Sequence, residues 1–162
     1  MSVSSQFADF PLTVHKSAIE NRGVFAVAAI PAGRRVVEYR GEKIRLHEAL
    51  LRVRKALFTK THRPRRAPGH LYLARLNRHY AIDGAVGGSG AELINHSCDP
   101  NLLMRRKDGR IFLYSKRAIR KSQELTVDYR FGPCDNPIPC KCGSRKCRGT
   151  INRQNHRGHS KF

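Results

Sequence analysis

The sequence predicts a mainly β domain of small twisted sheets, one helix of moderate length and a metal-binding segment at the C-terminus. Three observations carry this. Short runs of strand-favouring residues alternate with Gly, Pro and Asn turn signals along most of the chain. One stretch alone, Leu46 to Phe58, has helical apolar spacing. Three cysteines crowd between Cys140 and Cys147 in surroundings rich in Lys and Gly. With 162 residues and 40% hydrophobic content, the chain suits a single domain with a modest core.

Taken in order, Leu12 to His15 and Gly23 to Val27 read as strands, and Pro31-Ala32-Gly33 as a turn. Val36, Val37 and Tyr39 make Arg35 to Tyr39 a further strand. Leu46, Ala49, Leu50, Val53 and Leu57 give the helix its apolar face, and the prolines and basic residues of Thr59 to Gly69 read as a loop. His70 to Leu76 and His79 to Ile82 form a hairpin-like pair around Asn77-Arg78. Asp83 to Gly90 is Gly-rich and irregular. Ile111 to Ser115 and Glu124 to Tyr129 are the last strands. From Phe131 onward little regular structure is expected, and Arg153 to Phe162 reads as a mobile basic tail.

The net charge of +20, with a pI near 10.8, is the strongest compositional signal. Such a field attracts DNA or another polyanion, although charge alone carries no sequence specificity. A solvated basic surface that only maintains solubility is the plainer reading. No apolar run approaches the roughly 18 residues of a membrane span, and Met1 to Asp9 lacks the pattern of a secretory signal. An intracellular protein with no membrane association is therefore expected.

The five cysteines are an odd number, which argues against a simple disulfide framework. Cys140, Cys142 and Cys147 supply three thiolates within eight residues, and thiolates suit tetrahedral zinc. From spacing alone the fourth ligand is open between Cys98, Cys134 and a nearby His.

The most informative stretch is Asn95-His96-Ser97-Cys98-Asp99-Pro100-Asn101. Its composition alone supports no more than a turn followed by a strand. It nevertheless resembles the N-H-S-C-x-P-N signature of SET-domain protein-lysine methyltransferases. Further motifs of that family follow in order. Arg22-Gly23-Val24-Phe25-Ala26 with Ile30-Pro31-Ala32-Gly33 resembles the N-terminal cofactor loop and its turn, and Glu38-Tyr39-Arg40-Gly41-Glu42 resembles E-Y-x-G-E. Tyr72-Leu73 and Ile82-Asp83 match central positions. Glu124 to Tyr129 resembles E-L-T-x-D-Y, and Cys140 to Gly149 resembles the post-SET zinc motif. The match runs from about Val14 to Gly149.

The resemblance implies a SET-domain fold whose knot-like core is formed by Asn95 to Asn101 and Glu124 to Tyr129. It implies a SET domain over residues 1–133 (core about 12–131), a post-SET zinc segment over 134–152 and the tail over 153–162. It implies a protein-lysine N-methyltransferase using S-adenosylmethionine, acting on a histone or another DNA-associated basic protein. The location would be the nucleus or chromosome in a eukaryote, or the nucleoid or cytoplasm in a bacterium.

Residue by residue, the resemblance makes Tyr129 the main catalytic group and Tyr39 a wall of the lysine channel. Arg22, Gly23, Val24, Tyr72, Asn95 and His96 would bind the cofactor, with Gly23 allowing a close backbone approach. Cys98 would join Cys140, Cys142 and Cys147 on one structural Zn2+, and Cys134 would remain a free thiol. The chain departs from the family pattern at several positions. Asn21 stands for the first Gly of G-x-G, and Asn tolerates positive φ better than most residues. Ser89 and Glu92 replace an Asn and an Arg near the knot, and Ser122-Gln123 replaces Gly-Glu. These departures also admit a SET fold with weakened catalysis, serving as a nucleic-acid-binding module.

Overall fold

The computed structural model describes residues 3–62, 71–132 and 137–153, the side chains of 56–62 excepted. The hairpin of β1 (Leu12–Lys16) and β2 (Arg22–Ala26) is antiparallel, with Leu12 opposite Ala26 and Lys16 opposite Arg22. Its inward residues Leu12, Val14, Val24 and Ala26 are buried. At the turn, Ser17 Oγ accepts from the Ile19 N–H at 2.9 Å. Asn21 does not have a positive φ, so it keeps the loop closed without the left-handed conformation expected of it; its carbonyl accepts from the Ser17 N–H at 3.3 Å.

Two three-stranded antiparallel sheets hold the centre. One has the order β3 (Arg35–Tyr39), β9 (Arg110–Ser115), β8 (Leu102–Lys107). The other has the order β4 (Glu42–Arg45), β6 (Tyr80–Asp83), β5 (Leu73–Arg75). Strands β8 and β9 turn at Asp108-Gly109, both at positive φ (49° and 71°), the conformation that two-residue hairpins favour. Asn77 Oδ1 closes the β5–β6 turn by accepting from the N–H groups of His79 and Tyr80 at 2.8 and 2.9 Å.

The helix, α1, runs from Leu46 to His62, four residues beyond its expected end at Phe58. Its expected apolar face is only partly used. Ala49 is buried, but Leu50 is 62% exposed. The helix is instead clipped to the β4–β6 sheet by Arg52, whose guanidinium meets Glu42 at 2.9 Å, Glu48 at 3.2 Å and the buried Asp83. No described helix is long and apolar enough to cross a membrane.

A short 3-10 turn (Ala91–Leu93) leads into β7 (Asn95–His96), which pairs in parallel with β10 (Thr126–Val127). The expected strand from Glu124 to Tyr129 is thus paired in full only at its centre. Asn101, 2% exposed, completes the junction. Its Nδ2 donates to the Glu124 carbonyl at 2.7 Å, and its Oδ1 accepts from the Thr126 N–H at 2.8 Å. One buried amide therefore does the work of a strand neighbour where the ladder stops. These are the two segments that the resemblance assigned to the knot. Beneath them lies one apolar core built on Val24, Ile30, Val36, Leu113, Ile119 and Leu125. Burying each such side chain contributes about 1.5–3 kcal/mol.

Residues 137–153 differ. They meet the rest through an isolated bridge from Phe131 to Asn152, hold an internal bridge between Pro139 and Thr150, and contain no regular strand. Cys134, most of the basic tail and the 63–70 part of the expected loop lie outside the described residues.

Candidate active site and metal centre

Strand β3 ends at Tyr39, β10 delivers Tyr129 two residues past its end, and Tyr72 immediately precedes β5. The fold brings the three tyrosines together. The Tyr39 hydroxyl donates to the Tyr72 carbonyl at 2.7 Å, and the Tyr129 hydroxyl donates to the Ile94 carbonyl at 3.0 Å. Burial, with Glu92, Tyr129, Asp83 and Tyr72 close by, pushes the Tyr39 phenol far above its usual range. Burial first, then Glu20, Tyr72 and Glu124, pushes Tyr129 up to about 12. Both are neutral phenols near pH 7, and each directs its one proton to a carbonyl. What either hydroxyl has left to offer is a lone pair. Phe131 stacks beside Tyr129 with ring centroids 5.4 Å apart, an aromatic neighbour that the motifs did not single out.

His96 is 3% exposed, and its Nδ1 accepts from the Tyr129 N–H at 3.2 Å. Burial lowers its pKa, with Asp128 opposing and Arg148 reinforcing the shift. The neutral ring that accepts at Nδ1 carries its proton on Nε2, which faces the Cys98 sulfur at 3.5 Å. The His96 side chain thus links the backbone of the catalytic candidate to a cysteine, and only its main chain remains for a ligand.

Asn95 donates both amide hydrogens, to the Arg22 carbonyl at 2.9 Å and to Glu124 Oε1 at 2.8 Å. Its side chain can meet a ligand only through Oδ1. Glu124 is further held by the Ser17 hydroxyl at 2.8 Å. A Cβ at Gly23 would lie 2.2 Å from Glu124 Oε1, so this glycine is required by the carboxylate packed against it rather than by a ligand's approach. Val24 is wholly buried and offers only its backbone, while Arg22 is exposed. Glu124 is the residue whose weight the sequence understated: it ties β2, Asn95 and the turn at Ser17 into one network.

The departures from the family pattern fit their places. Ser89, 2% exposed, donates to the Glu38 carbonyl at 2.6 Å. Glu92 Oε2 accepts from the Gly90 N–H at 2.8 Å, and its side chain packs over Gly84 and Gly88. Ser122 does sit at positive φ, 62°, where glycine is relaxed.

The sulfurs of Cys98, Cys140, Cys142 and Cys147 all lie within 4.8 Å of one another. Cys98 is 3.6 Å from Cys140 and 3.9 Å from Cys147. A tetrahedron of thiolates with metal–sulfur bonds of about 2.3 Å has edges of about 3.8 Å. The four thiols therefore have the spacing to hold one metal ion, and Cys98 is the fourth member that spacing in the sequence left open. Burial pushes Cys140 up to about 12. Against its own burial, Cys142 is drawn down to about 6 by hydrogen bonds from the backbone of Cys98 and Ser144. Next to the cluster, Arg148 grips Asp128 with both ends of its guanidinium, at 3.0 and 2.8 Å.

A model of the SET domain matches residues 21–130. Over 149 residues the chain is 38% identical to an H3 lysine-4-specific histone-lysine N-methyltransferase of Emericella nidulans, covering 88% of this chain and 12% of that protein. It is 38% identical over 151 residues to histone-lysine N-methyltransferase SETD1 of Drosophila melanogaster, covering 91% of this chain and 9% of that protein. With SETD1B of Homo sapiens the figures are 37% over 141 residues, 85% and 7%. The chain spans about a tenth of the length of these relatives.

Proposed function

The chain belongs to the SET-domain family, and on that premise we propose that it is a protein-lysine N-methyltransferase using S-adenosylmethionine. The lysine would lie in a histone or a similar DNA-associated basic protein, the substrate class named for its relatives, and the place of action would be chromatin. The observation that carries the reading is the meeting of Tyr39, Tyr72 and Tyr129 beside Asn95-His96, with the four-thiol cluster beginning at Cys98, two residues on.

Bound S-adenosylmethionine supplies a methyl group on a sulfonium, ready for in-line displacement by a neutral amine. At pH 7 only about one free lysine in 2,500 is neutral, so reaching that form costs about 4–5 kcal/mol. The chain's own residues lower this cost. Tyr39 and Phe131 give the channel apolar walls, and desolvation lowers a lysine's pKa. Tyr129 stays protonated, because its hydroxyl already donates to Ile94, so it is not a base. Its lone pairs orient the amine and offer partial negative charge where positive charge crosses. Arg22, Gly23, Val24, Asn95 and His96 would hold the cofactor through main-chain groups and Asn95 Oδ1, with Tyr72 beside its methionine portion. Cys98, Cys140, Cys142 and Cys147 would bind one Zn2+ that fixes residues 134–152 against the SET domain of 1–133.

The test is transfer of labelled methyl from S-adenosylmethionine to histones, nucleosomes and bacterial nucleoid proteins. The expected result is labelling by the wild type and a drop of about 100-fold or more with Tyr129→Phe, the scale of losing one preorganised electrostatic group. Failure to bind the cofactor by calorimetry would overturn the reading in favour of a fold that has lost catalysis.

A further inference from the structure

The described arginines differ in their partners. Arg35, Arg52, Arg110, Arg117 and Arg148 each meet a carboxylate within 3.2 Å. Arg75, Arg106 and Arg130 are exposed and form no ion pair among the described residues. They nevertheless converge. Arg75 is on β5 and Arg106 on β8, the outer strands of two different sheets, and Arg106 Nε donates to the Arg75 carbonyl at 2.7 Å. Arg130 arrives from the segment after β10, held at φ 53°. Partial burial of its stem, then Arg130, then Arg75 push the Arg106 pKa down, so Arg106 lies within electrostatic reach of the other two.

Like charges gathered without a counter-ion destabilise a fold, and a bound anion relieves them. The place adds a second reason. Arg130 follows Tyr129 directly, and Arg75 lies three residues past Tyr72. If the site accepts a cationic lysine from a basic protein, as proposed above, uncompensated positive charge at its edge repels that substrate unless an anion covers it. A protein of net charge +20 seeking a basic substrate meets the same obstacle over its whole surface. Duplex DNA, on which such a substrate sits, removes both obstacles. Guanidinium groups also match phosphate oxygens with two parallel hydrogen bonds.

We propose that Arg75, Arg106 and Arg130 form a phosphate-binding site for the backbone of duplex DNA, placed so that bound DNA lies beside the catalytic tyrosines. The DNA contact stands on the arginine geometry; its use in presenting substrate rests on the methyltransferase reading.

The experiment is binding of the full chain to a short fluorescent duplex, followed by anisotropy over a range of salt concentrations. Arg75→Gln/Arg106→Gln/Arg130→Gln should weaken binding about tenfold or more at fixed salt, and flatten the slope of log K against log salt by about 0.9 for each phosphate no longer neutralised. A charge-matched control, Lys16→Gln/Lys116→Gln/Lys121→Gln at exposed sites elsewhere, should change affinity less than about threefold, because those charges neutralise no phosphate. Arg75→Lys/Arg106→Lys/Arg130→Lys should recover most of the slope. Equal losses in cluster and control variants would overturn the proposal, leaving only the general field of the protein. So would a cluster-dependent loss seen with polyglutamate and not with DNA. Thermal melting of each variant guards against misfolding, and if the triple Gln variant fails to melt like the wild type, the single Arg130→Gln change must still weaken binding. A wild type that methylates free histone but ignores the duplex sinks this proposal alone; one that binds DNA through the cluster yet transfers no methyl sinks only the methyltransferase reading.

Discussion

Residues 12–131 and residues 137–153 are ordered by different forces. The first region buries Val24, Val36, Ile111 and Leu125 completely, so apolar burial orders it. In the second, the single buried residue among those described is Asn152, a polar one, and Ile138 is 48% exposed. That segment has no core of its own. Its contacts are the cluster of its three sulfurs with that of Cys98, Arg148 on Asp128 and a few main-chain bonds such as Cys140 N–H to the Gly149 carbonyl at 2.9 Å. Yet a path joins the two, because the Cys98 sulfur lies 3.6 Å from that of Cys140, and His96 touches Cys98 with one nitrogen and the Tyr129 backbone with the other. The lesson is that a segment too polar to fold by burial can be ordered by a cluster of sulfurs and a few polar contacts with the rest of the chain.

Removing the metal proposed for the four thiols should break the comparison most strongly. Structural zinc contributes on the order of 10 kcal/mol to small domains that lack a core. A chelator, or Cys142→Ser, should expose Lys141, Arg145 and Lys146 to trypsin within minutes while residues 12–131 stay intact. Mass spectrometry of the fragments gives the answer, and simultaneous digestion of the core would mean that the two regions do not fold separately.

The converse change acts on the core. Leu125→Ala empties a fully buried position between β10 and the Val24 backbone, whose carbonyl accepts from the Leu125 N–H at 2.8 Å. It should cost about 2–5 kcal/mol, and so lower the melting temperature by about 6–15 °C. Cys142→Ser should shift the same transition by far less. Calorimetry on both variants measures how separate the regions are.

The same division governs what could be read in advance. Strands β2, β3 and β9 and the start of α1 follow from apolar patterning, because burial sets them locally. β8 is marked by Asp108-Gly109, a hairpin signal that polar Arg105, Arg106 and Lys107 obscured. β7 and β10 have only two paired residues each, and their parallel pairing depends on Asn101 bridging across some 25 positions, which no local pattern encodes. The fourth cysteine follows the same rule: Cys98 lies 42 residues before Cys140, so only the family motif or the fold could select it over Cys134. The outward Leu50 shows the opposite failure, where helical spacing was right and the residue is nevertheless 62% exposed.

A smaller effect tests the joint between the regions. Against its partial burial, the Arg148 guanidinium and the Arg130 N–H hold the Asp128 carboxyl below the usual carboxylate range. A depressed folded pKa means the unfolded chain takes up the proton first, so the contribution is present above the unfolded pKa of about 4 and is lost as pH falls from there through the lower folded value. A double-mutant cycle of Asp128→Asn and Arg148→Gln at pH 7 should give a coupling of about 1–2 kcal/mol, as for a charge-assisted pair that is mostly shielded from water. Repeated near pH 3, the coupling should shrink. A value that does not change with pH would mean the pair contributes through packing alone.

The smallest effect concerns one exposed turn residue of the first region. Ser122 is held at φ 62° while its N–H donates to the Ala26 carbonyl at 2.8 Å, which fixes the turn ahead of Glu124. A non-glycine residue in that left-handed region costs about 1–2 kcal/mol. Glycine removes that strain but gives back about 0.5–1 kcal/mol through its freer unfolded chain. The balance favours Ser122→Gly by about 0.5 kcal/mol, a rise in melting temperature of about 1–2 °C. Because the turn belongs to the core and not to the sulfur-held segment, the gain should appear in the core transition and leave the chelator-dependent trypsin cleavage unchanged. A shift in that cleavage would show that strain at this turn reaches the second region through Glu124 and Asn95, and the two regions would then be less independent than their packing implies.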